Sequence, residues 1–356
     1  MDLPTFNRLL AIGFEKGVSD IHFQVGYPPL FRARSQLIRS KLESLTSEDT
    51  ASIVNFILES QKRKPPENFK ELDTSYSVPK VGRFRVSIFR QSFNFGIVMR
   101  AIPLKIRAVG ELNLPPVLEE IANSQRGLIL VTGPTGAGKS TTVAAMIKHM
   151  NDTRYANILT IEDPIEFQFP PGNSCIFQRE VGVDTDSYST AIRAAMRMDP
   201  DIMMVGELRD HETIDACMKA AETGHLVLST MHTNNSVSTI SRILSYFPAE
   251  AQELIQQRLA DILVALVSLR LLVNKTGDGV VPAVEIMRKS PSIEACIREM
   301  GRLNEIPKVM EKSSDQKMQT FDQHLLELYK KGLVSLDEAV EASSSSDLQR
   351  NLMVTN

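Results

Sequence analysis

The sequence has few cysteines and no excess of charge of either sign. Its 356 residues include three cysteines, and 40 Lys and Arg face 43 Asp and Glu for a formal net charge of −3. Because the cysteines are scattered and form no CxxC pair, neither a disulfide framework nor a zinc site is indicated, and a reducing cytosol is expected. Nucleic acid is not expected as the main ligand, since neutralising phosphates normally requires a cationic surface.

Long hydrophobic runs are also missing from the sequence. The most apolar run, residues 262–269, is far shorter than the ~20 residues that a membrane-spanning helix needs; it is predicted to form a buried helix. The N-terminus, Met-Asp-Leu-Pro-Thr-Phe, has neither a basic segment nor an apolar one, so no signal peptide is predicted. We therefore expect a chain that does not cross a membrane by itself.

The first hundred residues have the pattern of a small α+β domain. Residues 4–16 carry apolar side chains at helical spacing, and Thr46 with Asp49 forms the signature of a second helix start. Residues 81–99 alternate in the manner of a hairpin of two strands. At 356 residues the chain is long enough for two such domains, each with its own core.

From Leu128 onward the pattern changes to strand, glycine-rich loop and helix in alternation, which is typical of an α/β domain with a mostly parallel sheet. A helix is predicted over residues 321–331 and another from Ser335, and a last short helix is expected beyond the serines at 343–346. The predicted domains are residues 1–100 and 114–356, the second with a helical tail, joined by a linker at 101–113.

Residues 133–140, Gly-Pro-Thr-Gly-Ala-Gly-Lys-Ser, match the phosphate-loop pattern GxxxxGK[ST], between an apolar strand and a helix-forming run. Glycines let the backbone curl so that its N–H groups point at phosphate oxygens, and the helix N-terminus adds positive potential. Lys139 is expected to neutralise β- and γ-phosphate charge, and the Ser140 hydroxyl to ligate Mg²⁺. The predicted nucleotide-binding residues are Gly133, Pro134, Thr135, Gly136, Ala137, Gly138, Lys139, Ser140 and Thr141.

Three further side chains, those of Glu207, Glu162 and His232, come at the ends of predicted apolar strands. Ligands bind at the carboxyl ends of parallel strands, so these groups are placed for chemistry. Glu207 is predicted to polarise the attacking water or to hold the water shell of a metal, and Glu162 is a second candidate for either task. His232 can hydrogen-bond the γ-phosphate. The candidate metal ligands are Ser140, Glu162 and Glu207.

Structural roles stay open for the same three side chains. Glu207 can cap a helix that follows its strand, and the Asp163-Pro164 step after Glu162 can simply make a turn. His232, as a lone histidine, can equally be a structural side chain.

Arginines form the remaining group, with Arg85 and Arg100 on adjacent predicted strands and Arg83 and Arg90 nearby. Enzymes with a phosphate loop need a cation opposite the γ-phosphate, and a neighbouring subunit often supplies it. The pattern alone favours a solvated strand face for these side chains.

The chain resembles the type IV pilus retraction ATPases, the PilT/PilU branch of the type II/IV secretion (GspE-like) ATPase family. Segments 19–29 and 82–89 are similar to the family's N-terminal domain. Four motifs in fixed order carry most of the resemblance: GPTGAGKSTT at 133–142, ILTIEDPIEF at 158–167, DPDIMMVGELRD at 199–210 and ETGHLVLSTMHTNNS at 222–236.

The resemblance implies a RecA-like ATPase domain preceded by a PAS-like domain, assembled as a ring of six that hydrolyses ATP with Mg²⁺. It also implies roles for individual residues. Glu207 corresponds to the catalytic carboxylate and Glu162 to an acid near the metal, while His232 belongs to the family's His box, the motif at 222–236. Arg85 and Arg100 match the arginine pair that family members direct at the nucleotide.

The function implied is a motor for pilus retraction and twitching motility. Such a ring sits in the cytoplasm at the inner-membrane base of the pilus machine and turns a platform protein there, and a paralogous retraction ATPase is a possible partner.

Two alternatives to a principal retraction motor, an accessory subunit and an assembly ATPase, are weighed on particular segments of the chain. Retraction motors carry an AIRNLIR-like motif where residues 293–299 are Ile-Glu-Ala-Cys-Ile-Arg-Glu, which leaves open an accessory, PilU-like nucleotide-binding subunit that modulates a partner motor with little turnover of its own. Assembly ATPases usually have an extra N-terminal domain and a tetracysteine zinc motif. This sequence shows neither, so retraction is favoured over assembly.

Overall fold

The computed structural model describes residues 1–33, 36–61, 69–102, 105–277, 279–299 and 301–343. The last short helix predicted beyond the serines and residues 103–104 of the predicted linker lie outside the described residues. The chain divides into two compact units. The first comprises Met1–Lys105 with Asp163–Phe169, and the second comprises Ile106–Glu162 with Pro170–Asn356.

The first unit packs two helices on an antiparallel sheet. Asp2 caps α1 (Leu3–Glu15), and Thr46 caps α2 (Ser47–Ser60) through the predicted capping box with Asp49. Within the described residues the sheet order is β3-β2-β1-β6-β5-β4. The predicted α+β architecture and its hairpin are confirmed. The strands are β1 (Asp20–Phe23), β2 (Leu30–Ala33), β3 (Gln36–Arg39), β4 (Glu71–Val78), β5 (Gly82–Gln91) and β6 (Asn94–Ala101).

The second unit is built on a mostly parallel sheet, as predicted. Its order in the described residues is β13-β12-β7-β11-β10-β8-β9, and only the β12–β13 pair is antiparallel. The strands are β7 (Gly127–Thr132), β8 (Asn157–Glu162), β9 (Cys175–Glu180), β10 (Ile202–Val205), β11 (Leu226–Met231), β12 (Leu263–Val273) and β13 (Val280–Arg288).

Helices cover both the sheet and the C-terminal region of this unit. Apolar side chains from the strands and helices form its buried core, including Leu130, Val205, Val227 and Leu266. The helices are α3 (Val117–Ala122), α4 (Lys139–Thr153), α5 (Tyr188–Ala195), α6 (His211–Glu222), α7 (Ser236–Ser245), α8 (Ala249–Ile262), α9 (Pro291–Arg298), α10 (Ile306–Lys312), α11 (Phe321–Lys330) and α12 (Leu336–Ala342).

The helix predicted over residues 262–269 is wrong. Helix α8 ends at Ile262 and strand β12 begins at the next residue, Leu263. β12 lies inside the sheet between β7 and β13, so most of its first half is buried and its sequence is a continuous apolar run. A run of this length does not distinguish a buried strand from a buried helix by periodicity. No helix in the described part of the chain is long and apolar enough to cross a membrane.

The predicted C-terminal helices are confirmed as α11, which ends just before Gly332, and α12, which Ser335 caps. They pack on β12 and β13 through a small apolar cluster that includes Phe321 and Leu325. The buried His324 imidazole joins the same contact, because its Nδ1 accepts a 2.9 Å hydrogen bond from the Val284 backbone N–H of β13.

We predict that acid destabilises this C-terminal contact through His324. Burial, with Lys331 acting in the same direction and Glu327 against it, lowers the pKa of His324 to about 4. Between this pKa and the usual histidine value, the unfolded chain therefore binds a proton at His324 that the folded chain does not bind. The free energy of unfolding decreases as pH falls from about 6.5 towards about 4. The full loss is about 3 kcal/mol. Thermal unfolding of wild type and His324→Gln across that range measures it, and the wild-type midpoint should fall more steeply. Parallel curves contradict the prediction.

Candidate active site

The loop between β7 and α4 has three positions whose backbone conformation favours glycine. Gly133, Gly136 and Gly138 have φ values of 149°, 81° and 90°. A Cβ on Gly133 would lie 2.5 Å from the carbonyl oxygen of Leu269. Gly138 precedes the first turn of α4 and carries no side chain to bond its N–H groups. This geometry suits a phosphate group, which the loop and the helix N-terminus can surround with N–H donors.

Lys139, the first residue of α4, is buried and turned back onto the loop. Its Nζ donates to the carbonyl oxygens of Gly133 at 2.9 Å and Pro134 at 3.1 Å. The same Nζ lies 3.3 Å from Nδ1 of His232. The ammonium is thus held at the loop by acceptors that a phosphate oxygen can replace.

Glu207 and His232 are brought together by neighbouring strands. Glu207 follows β10 and His232 follows β11, and the Thr230 hydroxyl donates to the Gly206 carbonyl at 2.7 Å, which ties the two strand ends. Nε2 of His232 lies 3.3 Å from Oε1 of Glu207. The imidazole therefore bridges the Glu207 carboxylate and the Lys139 ammonium.

The bridge sets the tautomer of His232. An ammonium has only donors, so Nδ1 must accept from Lys139. The ring proton then sits on Nε2 and is donated to Glu207. The result is a polar chain from the loop carbonyls through Lys139 and His232 to the Glu207 carboxylate, which is only 15% exposed.

Glu162 lies at the end of β8, the strand beside β10. Its buried carboxylate accepts hydrogen bonds from Thr160 Oγ1 at 2.7 Å and Gln178 Nε2 at 3.1 Å. Ser140 and Thr141 are half-buried in the first turn of α4. The residues that the structure describes contain no group of three or more His, Cys, Asp or Glu side chains able to hold a metal ion. A hydroxyl and one or two carboxylates, as Ser140, Glu162 and Glu207 offer, suit Mg²⁺, because this ion keeps several water ligands and takes others from phosphates.

Arg85 and Arg100 belong to the first unit, where they face each other across β5 and β6. Arg100 Nε bonds the buried carboxylate of Asp20 at 2.8 Å, and Arg85 lies 3.8 Å from Glu166. The adjacency expected from the sequence is present, and both side chains also have acidic neighbours. Their role towards a nucleotide stays a prediction.

Arg83 and Arg90, the other two arginines of the group, have local contacts. Arg83 donates to Ser75 Oγ at 2.8 Å, and the Arg90 guanidinium lies 3.8 Å from the ring centre of Phe95. Both contacts lie within the first unit, so Arg83 and Arg90 have structural roles on the surface of its sheet.

Two residues near the loop were not found from the sequence. Arg209 pairs with Glu207 Oε2 at 2.8 Å. Its position two residues after Glu207 is the feature of the sequence that could have indicated this pair. Glu285 is buried in β13, where the signal was a lone acid in an otherwise apolar strand.

Comparison with known proteins places these motifs in one family. The model of the family described as type II/IV secretion system protein matches residues 38–341. The retraction ATPase PilT of Pseudomonas aeruginosa is 42% identical, over 94% of this chain and 96% of that protein. The type IV pilus ATPase PilU of the same organism is 37% identical, over 97% and 90% respectively. A crystal structure of the pilus retraction motor PilT with bound ADP superposes with a TM-score of 0.87 at 41% identity, covering 97% of this chain and 98% of that one.

Proposed function

The chain belongs to the type II/IV secretion system protein family, whose PilT members are ATPases, and on that premise we propose that it is an ATP-hydrolysing motor that retracts type IV pili. The single observation that carries the proposal is the polar chain that joins Lys139 at the phosphate loop, through His232, to the Glu207 carboxylate. It brings a phosphate-binding cation and a candidate base to one site, and these are two of the groups that enzymes use for phosphoryl transfer to water.

In the proposed reaction each residue has a distinct task. The loop N–H groups bind the phosphates, and Lys139 exchanges the Gly133 and Pro134 carbonyls for β- and γ-phosphate oxygens. Glu207 accepts a hydrogen bond from the attacking water and takes its proton as the water oxygen bonds the γ-phosphorus. The bond from that phosphorus to the β–γ bridging oxygen breaks, and ADP is the leaving group. His232, released by Lys139, donates to the γ-phosphate.

Mg²⁺, when bound with ATP, supplies positive charge to the phosphate oxygens, and Ser140 with Glu162 and Glu207 are the residues that would hold it or its water ligands. Of these, Glu162 is already held in one orientation by Thr160 and Gln178.

We further propose that the protein acts as a homo-hexamer in the cytoplasm, docked at the inner-membrane base of the pilus machine. Arg85 and Arg100 are proposed to approach the γ-phosphate of a neighbouring subunit, where guanidinium groups stabilise transition-state charge. A platform protein in the membrane is the proposed mechanical partner, and a paralogous retraction ATPase is a second.

A second candidate is an accessory subunit with little turnover of its own. It is favoured by the similarity to PilU and by residues 293–299, which keep only the Ile-Arg part of the AIRNLIR-like motif of retraction motors. Steady-state phosphate release by the purified protein separates the two, because only a principal motor should release phosphate without a partner ATPase.

Deleting the gene in the source organism and imaging its pili tests the retraction proposal. We expect cells with an excess of pili that do not shorten, and twitching that stops. Complementation with the wild-type gene should restore pilus shortening and twitching, while complementation with a Lys139→Ala variant should restore neither. Cells without pili would contradict retraction and point to assembly.

A further inference from the structure

A carboxylate is buried beside the candidate active site with no role in the reaction described above. Glu285 lies in the middle of β13 and is only 7% exposed. Its Oε1 accepts hydrogen bonds from the Ser236 backbone N–H at 2.7 Å and the Ser236 hydroxyl at 2.6 Å. The Ser268 hydroxyl of β12 donates to the same oxygen at 3.3 Å. Glu285 is thus bonded to two other elements of the unit.

One of these bonds leads towards the phosphate loop. The Thr132 hydroxyl donates to Ser268 Oγ at 3.1 Å, and Thr132 is the residue immediately before Gly133. Thr132, Ser268 and Glu285 are all buried, so solvent does not compete for these contacts. The carboxylate is therefore connected to the strand that ends in the loop.

The other two bonds lead towards His232. Ser236 is the first residue of α7, four residues after His232. Asn235 caps this helix with its own side chain by accepting from Ser238, and Glu285 accepts the N–H of Ser236 in addition. The segment after β11 is therefore fixed at its far end by the Glu285 side chain on β13.

Burying a carboxylate is costly unless its bonds compensate for the lost hydration. Burial raises the pKa of Glu285, while the bonds from Ser236 and Ser268 and the charge of Arg270 act in the opposite direction. Asn235 already provides a cap for α7, so capping alone does not require a second, buried acid.

We propose that Glu285 is a positioning residue for ATP hydrolysis: by holding the first residue of α7, it keeps His232 at the end of β11 beside Glu207, where the imidazole can donate to the γ-phosphate. The inference rests on the proposed function, because it assigns Glu285 a part in the same reaction. Without the Glu285 bonds, the segment from His232 to Ser236 keeps the β11 end, the Asn235 cap and the 2.7 Å contact between the Thr233 and Thr239 hydroxyls but loses its link to β13, so His232 is held less firmly beside Glu207.

Kinetics of purified variants test the proposal. Glu285→Ala is expected to lower kcat by about tenfold or more, while the KM for ATP changes by less than about threefold because the phosphate loop is intact. Glu285→Gln keeps an acceptor oxygen for Ser236 and should recover most of the wild-type kcat. Ser236→Ala removes only the hydroxyl contact and should give a smaller loss in the same direction.

A double-mutant cycle asks whether Glu285 acts through His232. In a His232→Ala background, Glu285→Ala should cause no further loss of kcat, since the side chain that it positions is gone. Thr320→Ala is the matched control, because it removes a helix cap on α11 that is not part of this network. It should lower the thermal midpoint and leave kcat unchanged.

A readout that needs no turnover keeps the proposal separate from the proposed function. The rate at which diethyl pyrocarbonate modifies His232, followed by mass spectrometry, should rise in Glu285→Ala and not in Thr320→Ala. A wild-type protein that releases no phosphate, but whose His232 is freed by Glu285→Ala, would overturn the motor function and leave the positioning role in place. Unchanged His232 modification in Glu285→Ala, or losses of kcat that multiply in the cycle, would overturn the positioning role.

Discussion

Glu207→Gln is expected to reduce phosphate release by about 100-fold or more, because the substitution removes the group that takes the proton from the attacking water. The amide is nearly isosteric with the carboxylate and can still accept the hydrogen bond from His232 Nε2, so the polar chain to Lys139 is retained. Nucleotide affinity should therefore change little. Phosphate release at saturating ATP and equilibrium binding of a fluorescent ATP analogue measure the two quantities separately.

Glu222→Gln is the matched control for this experiment. Glu222 also pairs with an arginine, Arg258, at 2.6 Å, but it lies on α6 away from the strand ends. Its substitution should leave turnover within about twofold of wild type, as expected for a partly exposed ion pair. A Glu207→Gln variant as active as wild type would remove the base from the proposed mechanism.

Arg85→Ala is expected to lower turnover by about 1000-fold, the lower end of the effect of an arginine supplied to a phosphoryl-transfer site. Arg85 is better suited to the test than Arg100. Arg100 bonds the buried Asp20 carboxylate at 2.8 Å, so Arg100→Ala leaves that charge with only the Ser19 hydroxyl and the more distant Arg32, which threatens folding of the first unit. Arg90→Ala is the control, since Arg90 lies on the same strand and contacts Phe95.

Mixing two inactive variants tests whether the arginine acts on a neighbouring subunit. Arg85→Ala keeps its phosphate loop, and Lys139→Ala keeps its arginine, so mixed rings contain some interfaces with both. Phosphate release should recover to a fraction of the wild-type rate in the mixture and remain absent in each variant alone. Size-exclusion chromatography with light scattering should find both variants in rings. If mixed rings form and no activity returns, the arginine does not act between subunits.

The accuracy of the sequence prediction differed between local and non-local features. The glycine-rich turn between a strand and a helix at residues 133–138 and the helix starts at Thr46 and Ser335 were predicted correctly because each depends on residues within a few positions. The placement of Glu207 and His232 at strand ends followed from the rule that ligand-binding groups gather at the carboxyl edge of a parallel sheet.

The features that were missed depend on residues far apart in the chain. Residues 263–269 form a strand because β7 and β13 pair with its two edges, and neither partner is recognisable from the run itself. Glu285 meets Ser236 across 49 positions, so its hydrogen bonds are visible only after β13 has joined the sheet. The bond between Lys139 and His232 likewise spans 93 positions.

The loop carbonyls that hold Lys139 have a consequence for ligand selection. An anion that enters must displace Gly133, Pro134 and His232 from the ammonium, so its arrival is an exchange of partners. A single free orthophosphate replaces those contacts with few of its own, whereas a polyphosphate chain also engages the backbone amides along the whole turn. The loop should therefore bind a nucleotide polyphosphate more tightly than free orthophosphate, so phosphate leaves the site more readily than the nucleotide does.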